Sequence, residues 1–173
     1  MADEIVDQVD EEDNLIGECL KSECHRKGLW HRIAVVFVFN KIGELLIQKR
    51  GPNVRRPNLF SSSAAGHLHK GDSYEDGAKR ELFEELGIKA PIRLIDKFNK
   101  VDEKYPDGQI EREHYALYIC HYDGEIKILK EELISAVYYP IDKIKQMIQE
   151  NKDQFTPDFL EEFRHYLDWK NKK

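Results

Sequence analysis

Basic charge is what this chain has too little of: 27 Lys and Arg stand against 33 Asp and Glu, a formal net charge of −6. A nucleic-acid polymer is gripped through counterion release by a basic face, so the deficit argues against such a partner. It leaves small phosphorylated substrates open, because a divalent cation can bridge an acidic site to a phosphate. Cysteine is also scarce. Cys19, Cys24 and Cys120 are odd in number and form no Cys-x-x-Cys pair, so reduced, packed thiols are expected. No apolar run approaches the roughly 20 residues of a membrane helix, and the opening MADEIVDQVDEEDN lacks the basic-then-apolar order of a secretory signal. A cytoplasmic protein with no membrane partner is the expectation. No low-complexity linker, repeat or second-domain boundary is visible, so residues 1–173 read as one domain. With 40% hydrophobic residues that domain has enough apolar material for a core.

Glu4 to Leu20 pairs Ile5-Val6 with Leu15-Ile16 across a polar turn at Asp10–Asn14, which predicts a small β-hairpin ahead of the core. The run Ile33–Phe39 is continuously apolar, as a buried strand is, and Gly43 marks a turn into Leu45–Arg50. Further strands are expected near Arg93–Val101, Ile110–His121 and Ala136–Tyr139, with Tyr105–Gly108 as a hairpin turn. Helices are expected at Ile141–Glu150 and at Pro157–Trp169, the latter with Pro in its first turn. The strongest helix signal is Ser73–Leu86. Asp72 and Ser73 are good cap residues, Glu75 and Asp76 lie three positions on from each, and Gly87 supplies the stop. The whole is a mixed sheet with helices, an α/β fold of the α+β kind in which hairpins outnumber crossovers.

On that helix Glu81, Glu84 and Glu85 fall within an arc of roughly 100°, beside an apolar stripe of Ala78, Leu82 and Leu86. Like charges four apart cost an isolated helix roughly 0.2–0.5 kcal/mol, and a bound divalent ion would reverse that penalty. Taken alone, the cluster reads equally as a solvated acidic face.

The flanking residues change the weighting. Gly66, Arg80, Glu81, Leu82, Glu84, Glu85, Gly87 and Ile88 resemble the box of the Nudix hydrolase family, G-x5-E-x7-R-E-U-x-E-E-x-G-U with U aliphatic. A chance match at a given start is on the order of 10⁻⁸. One position departs: Asp72 stands where the family has Glu, which keeps a cap but weighs against a metal role for that shorter acid. The resemblance implies an α/β/α sandwich with a mixed sheet, and Mg²⁺ or Mn²⁺ held by the box. It assigns Glu84 and Glu85 as metal ligands and Glu81 as ligand or water-orienting base. Arg80 then braces the glutamates rather than touching substrate. The implied reaction is hydrolysis of a diphosphate bond in a small phosphorylated metabolite.

Outside the box, Glu4–Asp7, Ile16–Glu18 and His25–Arg32 look like the isopentenyl-diphosphate isomerase branch of the superfamily, which makes isomerisation the rival activity. Those isomerases carry a catalytic Cys directly before the Gly-His that opens the box. Here Ala65 precedes Gly66-His67, and the Arg-Glu-x-x-Glu-Glu run that they tend to lack is complete, so hydrolysis is favoured. A catalytically silent binding module on the same fold is the third reading. The isomerase branch further implies a second divalent-metal site on His25, His31, His67, Glu111 and Glu113, although the His25–His31 spacing is one residue shorter than in bacterial isomerases. Glu111 and Glu113 are two apart on an expected strand and would face one side. Mixed imidazole and carboxylate donors favour Zn²⁺ or Mn²⁺. The alternative is that these residues merely line a cleft, with Glu113 a distal ligand of the box metals. Arg50, Arg55 and Arg56, with Lys49, flank a Pro- and Arg-rich loop and suit phosphate oxygens; surface solubility explains them equally. Tyr138 and Tyr139 read as core packing.

Overall fold

A computed structural model describes residues 3–101, 104–129 and 131–173. Its sheet is built around β3 (His31–Phe39), the continuous apolar run. Side chains alternate along a strand, so an unbroken apolar sequence means that both faces are covered. Ile33, Val35, Phe37 and Phe39 enter one core, and Ala34, Val36 and Val38 the other.

The remaining elements follow in chain order. β1 (Ile5–Val9) and β2 (Leu15–Leu20) form the expected hairpin as a separate two-stranded sheet, but not in the expected pairing. Antiparallel strands pair residues equidistant from the turn, so Ile5 lies opposite Leu20 and Val6 opposite Cys19, and Leu15 lies opposite Val9. Its turn is tied by Asp10, whose carboxylate accepts from the Glu12 and Asn14 amides. The helix α1 (Lys21–Lys27) comes next, then β3, β4 (Leu45–Arg50), β5 (Phe60–Ser61) and β6 (Ala64–His67). After them come α2 (Tyr74–Leu86), β7 (Ile92–Val101), β8 (Arg112–His121), β9 (Leu133–Tyr139), α3 (Ile141–Glu150) and α4 (Pro157–Asn171).

β3 pairs parallel with β8 along its whole length, from His31 opposite Glu113 to Phe39 opposite His121. On its other edge it pairs antiparallel with β6, setting Ile33 opposite His67. β7 pairs antiparallel with β8, and β9 with β4, completing a seven-stranded mixed sheet. α2 covers one face through Ala78, Leu82 and Leu86. The other face carries Ile144 of α3 and Phe159, Phe163 and Tyr166 of α4. The result is a helix–sheet–helix sandwich with the hairpin as an N-terminal extension.

α2 starts and stops where its sequence predicts. The Ser73 hydroxyl accepts from the Asp76 amide at 3.1 Å, and Gly87 closes the helix at φ 68°, a left-handed conformation that glycine adopts at little cost. The turn at Tyr105–Gly108 is also present, with the Gly108 amide donating to the Tyr105 carbonyl at 2.8 Å. The expectation of reduced thiols is overturned. Cys19 and Cys24 form a disulfide, their Cα atoms 6.4 Å apart, because the chain reverses directly from β2 into α1 and brings the two side chains together beside Val6 and Leu29. Cys120 is the free, buried thiol. α1 itself, seven residues long, had no sequence signal.

Candidate active site

The box helix lies against β6, and Gly66 is the point of contact. A side chain at Gly66 would overlap the carboxylate of Glu81, so only glycine lets that acid approach the backbone. Glu81 and Glu85 are buried, whereas Glu84 is more open, its side chain 42% exposed.

Arg80 ties this corner together. Its Nη1 donates to Glu81 Oε1 at 2.6 Å and reaches Glu84 Oε2 at 3.4 Å, while Nη2 donates to the His67 carbonyl at 2.8 Å. Asp72 accepts from the His69 amide at 3.1 Å and lies 3.4 Å from two nitrogens of the same guanidinium. Ser73 is thus the helix cap, and the Asp that replaces the usual Glu belongs to the arginine clamp. From the sheet, the Gln48 amide donates to Glu85 Oε2 at 2.5 Å.

His67 leads from the box to a second group of donors. β3 supplies His31, β6 His67, β8 Glu113 and α1 His25; one ligand atom from each lies within 4.8 Å of all the others. The parallel register that sets His31 opposite Glu113 accounts for their separation of 3.3 Å. His25 Nε2 lies 3.0 Å from His67 Nε2. His31 Nδ1 donates to the Leu29 carbonyl at 2.9 Å, which turns Nε2 towards the cluster. Burial and then the neighbouring His31 push His25 down to about 4 and His67 well below the ordinary imidazole range. Burial pushes Glu113 up, but the His31 imidazole and the Tyr115 hydroxyl, 2.6 Å away, outweigh it and its carboxyl is lowered. Imidazoles gathered around a carboxylate are a metal-binding donor set.

Glu111 stands apart from these four. It precedes the first residue of β8, and its buried carboxylate is held by Arg55, by Arg56 at 3.4 Å, by Lys100 at 3.3 Å and by the Tyr105 hydroxyl at 3.1 Å. Arg56 also reaches Asp158 at 2.5 Å, and both guanidinium groups lie over the Tyr105 ring, at 4.8 and 4.7 Å. Arg50 is separate, donating to the Arg55 carbonyl at 2.9 Å. Arg50 thus lies at the β4 end of the loop, and Arg55 and Arg56 lie over the Tyr105 ring in the β7–β8 turn.

Sequence reasoning missed Gln48 and Glu162. Each had a signal: Gln48 is a polar residue in an apolar strand, and Glu162 lies beside Phe163 on the apolar stripe of α4. Glu162 is buried, takes a hydrogen bond from Ser62, and is pushed up to about 8 by burial and by Asp158.

Residues 29–159 match the NUDIX domain. The chain belongs to the Nudix family. Among its Nudix relatives, an uncharacterized Nudix hydrolase of Clostridium acetobutylicum is 35% identical over 96% of this chain and 85% of its own. Isopentenyl-diphosphate Delta-isomerase 2 of Photorhabdus laumondii is 33% identical over 89% of this chain and 87% of its own. A solved structure from Deinococcus radiodurans shares the fold at a TM-score of 0.70 and 23% identity, covering 86% of this chain and 90% of that one. The Nudix sandwich predicted from the box is thus the fold observed. Among the described residues no helix is long and apolar enough to cross a membrane.

Proposed function

We propose that this Nudix protein is a divalent-metal-dependent hydrolase that cleaves a diphosphate bond in a small phosphorylated metabolite in the cytoplasm. The observation that carries the reading is the complete Arg-Glu-x-x-Glu-Glu run with its arginine clamped between Glu81 and the His67 carbonyl. Glu84 and Glu85 would hold Mg²⁺ or Mn²⁺, hard cations that prefer oxygen donors. When bound, such an ion supplies charge neutralisation and a more acidic water. Glu81, fixed by Arg80 over the Gly66 backbone, either completes the ligand set or takes the proton of the attacking water. Arg50, Arg55 and Arg56 would bind phosphate oxygens through their guanidinium forks.

The histidine cluster fits a second divalent ion on its own chemistry. His31 Nε2 and His25 Nδ1 are buried without a well-aligned hydrogen-bond partner, and leaving such groups unpaired is costly unless something else takes them up. Zn²⁺ or Mn²⁺ suits three imidazoles and a carboxylate.

The same cluster, with the isomerase-named relative, favours isomerisation as the second reading. The side chain directly before Gly66-His67 counts against it: Ala65 has no proton to give. Cys120, whose thiol burial pushes up to about 11, lies seven residues along β8 from Glu113, about 23 Å at the rise of a strand. The disulfide pulls against the cytoplasmic assignment, since that compartment keeps most thiols reduced.

The test is a screen of nucleoside, sugar, prenyl and thiamin diphosphates and of nucleoside triphosphates for phosphate or pyrophosphate release, with and without Mg²⁺. Metal-dependent release from at least one is expected. Conversion of isopentenyl diphosphate to its dimethylallyl isomer, with no hydrolysis of any compound, would install the second reading instead.

A further inference from the structure

We infer that Gln48 is a positioning residue that holds the Glu85 carboxylate in the orientation a metal ion needs. The inference rests on the reading of Glu85 as a ligand and adds a residue from outside the box.

β4 runs Leu45-Leu46-Ile47-Gln48 with all four buried, Gln48 being 3% exposed. Alternation puts Gln48 on the α2 side with Leu46. An amide in that position has two N–H donors to satisfy, and leaving either bare in a core is costly. Gln48 Nε2 reaches the Ser63 carbonyl and Glu85 Oε2, the latter at 2.5 Å. The Ser63 carbonyl can only accept, so the amide nitrogen faces the pair and the amide is not flipped. Glu85 Oε2 then takes an N–H from the sheet, which constrains the rotation of the carboxylate.

The anchor behind Gln48 is itself rigid. Ser63 is fully buried, receives the Val38 amide at 2.8 Å on its hydroxyl and donates that hydroxyl to the Leu46 carbonyl at 2.5 Å. The chain β4–Gln48–Ser63 thus links two strands, β3 and β4, and the β5–β6 connection to one box carboxylate. Beyond Gln48 the pairing of β4 with β9 shifts register at Lys49/Arg50, and such a shift re-aims the residues that follow it. Gln48 lies one residue before Lys49, the last regularly paired position of the strand. Partners that orient a metal ligand typically change metal affinity by about 10–100-fold when removed.

The experiment compares Gln48→Met, which keeps length and loses the donors, with wild type and Glu85→Gln. Mn²⁺ binding is titrated by the electron paramagnetic resonance of the free ion, alongside Mg²⁺ activation and thermal unfolding. The part of Mn²⁺ binding that Glu85→Gln abolishes defines the box site. Gln48→Met is expected to weaken that part at least about tenfold, with turnover recovering to within about threefold of wild type at saturating metal and KM for substrate unchanged. Wild-type Mn²⁺ binding with only a lowered melting temperature would show a merely structural amide and overturn the inference. If Glu85→Gln itself leaves Mn²⁺ binding intact, the box is not the metal site, and the reading beneath fails first. Gln48→Leu takes the place of Gln48→Met if the latter does not fold.

Discussion

Arg80 offers the sharpest separation between bracing and substrate binding. Replacing it by Met keeps most of the apolar stem and removes the charge. Glu81 then loses its 2.6 Å partner while its side chain stays 7% exposed. Exposed ion pairs contribute about 0–1 kcal/mol, and breaking a fully buried one costs about 3–5 kcal/mol. With the arginine side chain 20% exposed, the Arg80–Glu81 pair falls between, so Arg80→Met should destabilise the metal-free protein by about 2–3 kcal/mol. For a chain of this size that corresponds to a melting temperature about 5–10 °C lower. A divalent ion supplies positive charge to the same carboxylates, so saturating Mg²⁺ should shrink the gap to wild type. Scanning calorimetry with and without Mg²⁺ reads both quantities. A variant with unchanged melting temperature but a KM raised at least about tenfold would refute bracing and make Arg80 a substrate residue. A gap that Mg²⁺ leaves untouched would refute the link between the clamp and the metal.

Two more outcomes follow. His31→Ala and His67→Ala should each remove a transition metal that elemental analysis finds in protein purified without chelator; unchanged metal content would leave the box glutamates as the only site. Glu162 carries a pH signature: its folded value of about 8 lies above the ordinary glutamate value, so the folded state holds a proton that the unfolded chain releases. Stability is then fullest below about pH 4.5 as far as this group is concerned, and falls as pH rises towards 8, by at most about 1.4 kcal/mol per pH unit. Glu162→Gln should therefore gain on wild type in melting temperature between pH 5 and 8, and a gap independent of pH would contradict this.

Where local chemistry decides the structure, the residues alone were enough. The Ser73 cap, the Gly87 stop and the unbroken β3 run predicted their elements within a residue or two, because each rule acts over a single turn or strand. The box glutamates were legible through spacing. Three histidines and Glu113 came from the isomerase resemblance, and it is the parallel β3–β8 register and the β3–β6 pairing that bring His31, His67 and Glu113 together, with His25 added from α1. Glu111 lies outside that group of four, since a strand period says which side a residue faces, not which partner takes it; Arg55, Arg56 and Lys100, from a loop and another strand, hold its carboxylate. α1 escaped notice since seven residues make no stable helix in isolation. Its place depends on the hairpin, on the disulfide, and on the Ile110 amide donating to the His25 carbonyl at 2.8 Å. The same dependence on distant partners hid Gln48 and Glu162.

The central claim is that the box carboxylates hold the metal that drives hydrolysis. The most direct measurement is kcat for Glu84→Gln and Glu85→Gln at saturating Mg²⁺, on whichever diphosphate the wild type hydrolyses, with folding checked by circular dichroism. The account predicts folded variants whose kcat is lower by at least about 10²-fold. Near-normal turnover in both would contradict it.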